Sequence, residues 1–234
     1  NVWDEGVAFY SGSWEGGDGE GSGVLLHQLA DKRCANFKTC GDLATETTGV
    51  SHANLEIFRE FRDGQRKLSL GQCSAARANK VRIEQLMAIP LVQGTLRYAH
   101  IQNFEVDAGE KAEVEGAVFA AAVLPLVNAC NEEAASTLFK SMKTGQTGGS
   151  DFNGVKHALE QVYSCMGLRC EDIGGLYDDT TGGYLKHASP CGSSSDSDNK
   201  VGLIVGLSFG GVALLAFLVF LWTNRSSGKE VVND

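Results

Sequence analysis

The chain has 234 residues, a formal net charge of −9 and a 43% hydrophobic share. That length fits one large domain or two small ones, with apolar residues enough for a core. The acidic balance argues against a nucleic-acid binder, because phosphate recognition needs clustered Lys and Arg, and basic residues spread singly form no membrane-surface patch either.

The first residue is Asn1, and no charged start followed by an apolar run opens the chain. A processed form or a fragment is the expectation. Val2 to Tyr10 reads as a short amphipathic helix, with Trp3, Val7 and Tyr10 at helical spacing. Ser11 to Gly23 is a glycine-rich acidic loop. Helical period returns over Val24 to Cys40, and a polar, Thr-containing connection follows from Leu43 to Val50. Leu55 to Arg62 is a further helix. Cys73 to Ala88 and Pro90 to Phe104 form a helical pair divided by Pro90, a good helix-start residue. Lys111 to Asn128 is a long alanine-rich helix, expected to kink or break near Pro125. Glu132 to Met142 is a short helix, and Thr144 to Ser150 a Gly-rich break. Asp151 to Met166 is amphipathic, with Asp151 as its N-cap. Gly174 to Cys191 is loop-like. Few segments alternate with period two, so the predicted fold class is all-α: a helical bundle with Gly-rich loops.

A linker, residues 192–200, leads to Val201–Trp222, a run without one charged residue. At 1.5 Å rise per residue it spans about 30 Å, enough to cross a bilayer. Trp222 stands where an interfacial aromatic belongs, and Arg225 and Lys229 after the run outnumber Lys200 before it. The prediction is a single-pass plasma-membrane protein, with residues 1–191 outside as an ectodomain and residues 223–234 as a cytoplasmic tail. Gly202, Gly206 and Gly210 share one stripe of this helix, which suits a homodimer through close helix approach.

The seven cysteines are Cys34, Cys40, Cys73, Cys130, Cys165, Cys170 and Cys191. All precede the apolar run, which suits an oxidising exterior. No CxxC pair occurs. Cys165 and Cys170 bracket a short segment and could bridge locally, and the odd count leaves one thiol over. The remaining pairings stay open.

Two stretches carry candidate chemistry. In Pro90 to His100, PLVQGTLRYAH, the residues Gln93, Arg97 and His100 share one helix face within apolar surroundings. Such a stripe meets water, a buried network or a ligand. Arg97 offers the planar donor fork that suits carbonate or carboxylate, with Gln93 beside it. In WDEGVAFY, the carboxylates of Asp4 and Glu5 and the phenol of Tyr10 are hard oxygen donors suited to a hard cation. The plainer account of the two acids is a complement to the helix dipole, and the same holds for Glu110, Glu113 and Glu115. Glu15, Asp18 and Glu20 could widen an acidic site but lack the spacing of an EF-hand. The histidines form no HExxH, and no GxSxG, P-loop or kinase signature is present. The chain is therefore expected not to be an enzyme.

Several longer strings, VWDEGVAFYSGSWEGGDGEGSG, LADKRCANFKTCG, IPLVQGTLRYAH, AAVLPLVNAC and DFNGVKHALEQVYSCMGLRCEDIGGLYD, resemble the phytotransferrins. These are algal, low-iron-inducible, iron-assimilating periplasmic or cell-surface proteins. The resemblance runs in order over nearly all of Trp3 to Cys191. It implies capture of ferric iron with carbonate as synergistic anion, and internalisation. It also implies a chain often preceded by a related region, and a C-terminal membrane helix in diatom-type members. The ligand set expected on chemical grounds is Asp4, Glu5 and Tyr10 with His100 as a nitrogen ligand, and Arg97 with Gln93 for the anion. The alternatives are a structural or adhesive helical surface protein, which would leave the Gln93, Arg97, His100 stripe exposed, and a membrane-tethered helical hydrolase.

Overall fold

A run of apolar residues at helical spacing makes Ile89–Phe104 (α5) the hub of the domain. It packs against five other helices: Leu26–Phe37 (α2), Cys73–Met87 (α4), Gly109–Cys130 (α6), Phe152–Glu160 (α8) and Cys170–Ile173 (α9). The computed structural model describes residues 2–12, 25–106, 108–145 and 149–191. The described part belongs to one compact unit, Asn1–Gly192. Val2–Ser11 (α1), His52–Ser69 (α3) and Glu132–Met142 (α7) complete the helices. Phe37, Ile57, Leu86, Val92, Leu138, Phe152, Leu159 and Ile173 are the buried centre. The predicted linker, membrane span, tail and Ser11–Gly23 loop lie wholly or mostly outside the described residues.

The structure corrects several boundaries, each for a physical reason. The α3 helix continues past Arg62 to Ser69. Its last turns carry ion pairs, Asp63 with Arg66 and Lys67, in place of apolar periodicity, and such i,i+3 and i,i+4 pairs favour a helix. The α6 helix runs unbroken through Pro125. That proline lies on the exposed side, where water can meet the carbonyl its missing N–H leaves. By length and composition α6 could cross a membrane. Here Ala112, Gly116, Ala120, Val123 and Val127 are buried, and the helix packs on α5 and α7 as part of the bundle.

Asn131 caps α7 by accepting from Glu133 N and Ala134 N, and Asp151 caps α8 by accepting from Gly154 N. The α8 helix ends at Glu160, and turns carry the chain to Gly167. The segment expected to be a plain loop holds a two-stranded antiparallel hairpin, Tyr177–Asp178 (β1) with Gly183–Tyr184 (β2).

Three disulfides staple the domain: Cys34–Cys40, Cys130–Cys165 and Cys170–Cys191. The local Cys165–Cys170 bridge does not form, because each of these cysteines meets a distant partner brought close by folding. Cys73 is the free, exposed thiol.

Two close approaches require glycine. A Cβ on Gly64 would stand 2.2 Å from the Trp3 ring, so its absence lets α1 lie on α3. A Cβ on Gly94 would stand 2.5 Å from the Phe119 ring. The missing side chain draws α6 against α5 and brings Phe119 into a stack with Tyr98, ring centres 5.6 Å apart.

Candidate functional site

Tyr10 lies in the last turn of α1 and points into the interior, where it is 2% exposed. Its hydroxyl donates to Asn54 Oδ1 on α3. Asn54 Nδ2 in turn donates to Asp31 Oδ1 at 2.7 Å and to the His27 carbonyl at 2.9 Å. Ser51 N donates to the same carboxylate oxygen at 2.6 Å. His27 Nδ1 stands 4.0 Å from the other carboxylate oxygen of Asp31. This buried network ties α1, α2 and α3 together. Burial, and after it the charge of Asp31, pushes the Tyr10 phenol well above its ordinary value. Tyr10 therefore serves as a protonated donor here.

Asp4 and Glu5 lie exposed in the first turn of α1. His100 lies elsewhere, 7% exposed on α5, with its ring against Phe104 at 4.6 Å and Phe152 at 5.0 Å. Its Nε2–H donates to the Lys186 carbonyl at 3.1 Å; a carbonyl only accepts, which fixes the tautomer. Asp4, Glu5, Tyr10 and His100 thus do not converge. Among the described residues no three His, Cys, Asp or Glu side chains gather around one point. The set was expected on chemical grounds, which say which atoms can ligate and not which neighbours the fold gives them.

The polar stripe of α5 is not solvated. Gln93 is 1% exposed, and its amide donates to Thr39 Oγ1 at 3.1 Å and to the Ile173 carbonyl at 2.9 Å. Both amide hydrogens are thereby taken by the fold, so the expected pairing of Gln93 with Arg97 around an anion is not formed. Arg97 differs. It is half-buried, and its Nε is sealed from water without a hydrogen-bond partner among the described residues.

Arg33 on α2 is in the same condition: Nε and Nη1 are sealed and unpartnered among the described residues. Burial, and next the charge of Arg97, lowers the basicity of Arg33, while Tyr98 and Glu115 oppose that effect. Arg33 lines an open cavity of about 520 Å³ with Lys32, Tyr98, Glu115, Phe119 and apolar residues of α2 and α6. The Tyr98 hydroxyl donates to Glu115 Oε2. Burial, then the bond to Glu115 and its charge, raises the Tyr98 phenol, and both arginines pull it back. Lys111 Nζ lies 3.8 Å from Glu115 Oε1.

Glu115 is therefore not the helix-dipole acid expected from sequence. It lies beyond the first turn of α6 and holds Tyr98. Arg33, Lys32 and Tyr98 were not singled out by the sequence. A signal did exist for Arg33: Leu25, Leu29 and Arg33 recur four apart, which sets a guanidinium at the end of an apolar helix stripe. Chemically the arrangement sets the cations of Arg33 and Lys32 beside a phenol and a carboxylate at one cavity wall.

No curated protein and no solved structure matches the chain. A family profile described as low iron-inducible periplasmic protein matches residues 1–193. With most of its length so matched, the chain belongs to the low iron-inducible periplasmic protein family.

Proposed function

We propose that this protein is a cell-surface receptor that captures ferric iron with carbonate as synergistic anion for uptake, without enzymatic activity. Membership of an iron-regulated, extracytoplasmic family carries the reading. The three disulfides agree with an oxidising compartment. Trivalent iron takes hard, anionic oxygen ligands. The cavity between α2, α5 and α6 provides the Tyr98 phenol and the Glu115 carboxylate. Carbonate would supply two further oxygens, held by Arg33 at the cavity wall with the charge of Arg97 in support. The phenol must give up its proton as iron binds, so acidification opposes capture. Val201–Trp222 tethers the domain, with Gly202, Gly206 and Gly210 as a contact between two copies.

Ferric ion, delivered as a weak chelate, is titrated into the full chain in bicarbonate-replete and bicarbonate-free buffer. The expected result is tighter binding with bicarbonate, accompanied by a visible ferric–phenolate charge-transfer band. Tyr98→Phe loses the band and Tyr10→Phe keeps it. Equal iron affinity in the two buffers removes the synergistic anion, and absence of ferric binding removes the function.

A further inference from the structure

A helix on the outside of a bundle ordinarily turns a polar face to water. The α6 helix does not. Between Glu115 and Glu132 the chain carries no charged residue. Ala112, Gly116, Ala120, Val123 and Val127 meet the bundle. At about 100° per residue, the opposite face consists of Val114, Val118, Ala121, Ala122, Pro125 and Ala129, all exposed. Val114 is 46% exposed, Val118 63%, and Leu126 at the edge 44%. Phe139 of α7, 54% exposed, adjoins this face across a groove of about 430 Å³ that Leu124, Pro125 and Asn128 also line. A continuous apolar surface of this kind marks an interaction site. The charges at its two ends are opposite in sign. Lys111, whose side chain is 87% exposed, continues the face at the N-terminal end of α6, and pairs with Glu115 at 3.8 Å. Glu110 and Glu113 fall to one side of that line, and Glu113 accepts from Gly145 N. At the C-terminal end Glu132 opens α7 and lines the groove beside Pro125 and Asn128.

We infer that the outward face of α6 is the interface of a twofold dimer, covered by the same face of a second copy running antiparallel. The face is self-complementary about a point between Ala121 and Ala122. A twofold axis there sets Ala121 against Ala122, Val118 against Pro125 and Val114 against Ala129 of the second copy, so each valine meets a smaller residue. The same operation sets Lys111 against Glu132, once at each end. Lipid is the poorer cover. Glu110, Glu113, Glu132 and Glu133 stand around the ends of the face, and a chain of net charge −9 is repelled by an anionic membrane surface. One helix pair about 33 Å long makes a small interface, so the dimer belongs to the weak, micromolar class. Val114 and Val118 also line the cavity that holds Arg33 and Tyr98, which places the second copy at its rim. The inference does not rest on the iron reading.

The test is sedimentation of the metal-free full chain in detergent micelles over a range of protein concentrations, where a monomer–dimer equilibrium is expected. Ala122→Glu sets two like charges at the axis and raises the dissociation constant about 10-fold or more. Lys111→Glu and Glu132→Lys each weaken association roughly 2- to 5-fold. Combined in one chain they restore it, because the two signs are exchanged; a merely adhesive apolar face predicts no such rescue. In a Cys73→Ser background, Ala122→Cys is joined to its counterpart by a short bismaleimide, whereas Arg62→Cys, on the exposed side of α3, is not. Urea midpoints establish that each variant folds, and the cross-link reads the interface without a new charge. A chain that stays monomeric at every concentration would overturn the inference. So does a dimer that Ala122→Glu leaves intact and Ala122→Cys does not cross-link, which assigns association to another surface such as the Gly202, Gly206, Gly210 stripe. Shielding of Ala122→Cys from a water-soluble maleimide to the same extent at every protein concentration also overturns it, since the cover is then lipid or another segment of the same chain. Failure of iron titration leaves the dimer untouched, and loss of the dimer leaves the ferric reading to its own test.

Discussion

His100 brings an imidazole into an aromatic corner, packed between Phe104 and Phe152 and donating to the Lys186 carbonyl. Burial opposes the charged ring, and this outweighs the help of the Lys186 carbonyl and Glu105, so its pKa falls below the ordinary 6.5. The sign follows from proton counting. Once pH drops below about 6.5, the unfolded chain binds a proton at this site before the folded chain does. Stability contributed by the neutral ring is present above that value and is lost as pH falls toward the lowered native one. We expect the urea midpoint of the wild type to decline across this window, and His100→Gln to decline less steeply there. Equal slopes in the two proteins would assign the acid sensitivity to other groups. The same residue-scale logic separates the two phenols: Tyr10 is locked as a donor within a buried network, whereas Tyr98 sits at a cavity wall.

At the scale of elements, the α6–α7–α8 side of the bundle is held by a covalent tie as well as by packing. Cys130 ends α6, and Cys165 lies in the turns after α8, a sequence separation of 35. The chain-entropy estimate for closing such a loop is about 4 kcal/mol, against about 2 kcal/mol for Cys34–Cys40, whose separation is 6. Replacing Cys130 and Cys165 together by Ala should therefore lower unfolding free energy more than replacing Cys34 and Cys40. Urea denaturation of the two double variants decides the order, and a reversed order would show that loop length is not what sets their contributions. Thiol titration of the denatured, unreduced chain should find one reactive group, Cys73.

For the whole molecule, the pertinent fact is an extracytoplasmic family match that ends at residue 193, before the apolar run Val201–Trp222. On the function proposed above, recognition chemistry belongs to the disulfide-bonded domain and retention at the membrane to the segment after it. Deleting residues 201–234 is expected to release the protein from washed membranes into the medium, with its disulfides intact. If the shortened chain stays membrane-bound, the tether lies elsewhere.

What the sequence by itself determined is what local physics controls. Apolar residues three and four apart favour a helix, and α1, α4, α5 and α7 end within a residue or two of the positions their patterns predict. Caps are equally local, and Asn131 and Asp151 act at short range. Cysteine placement indicated an oxidising setting because it depends only on order along the chain. The tertiary structure decided every pairing across long separations. Gln93 meets Thr39 from 54 residues away and His100 meets Lys186 from 86. Cys165 turns from its near neighbour Cys170 to Cys130. Arg33 comes to line one cavity with Tyr98 because α2 packs on α5. Helical period says which face a residue occupies, but packing of several helices decides what that face meets, so the elements were legible in the sequence and the candidate site was not.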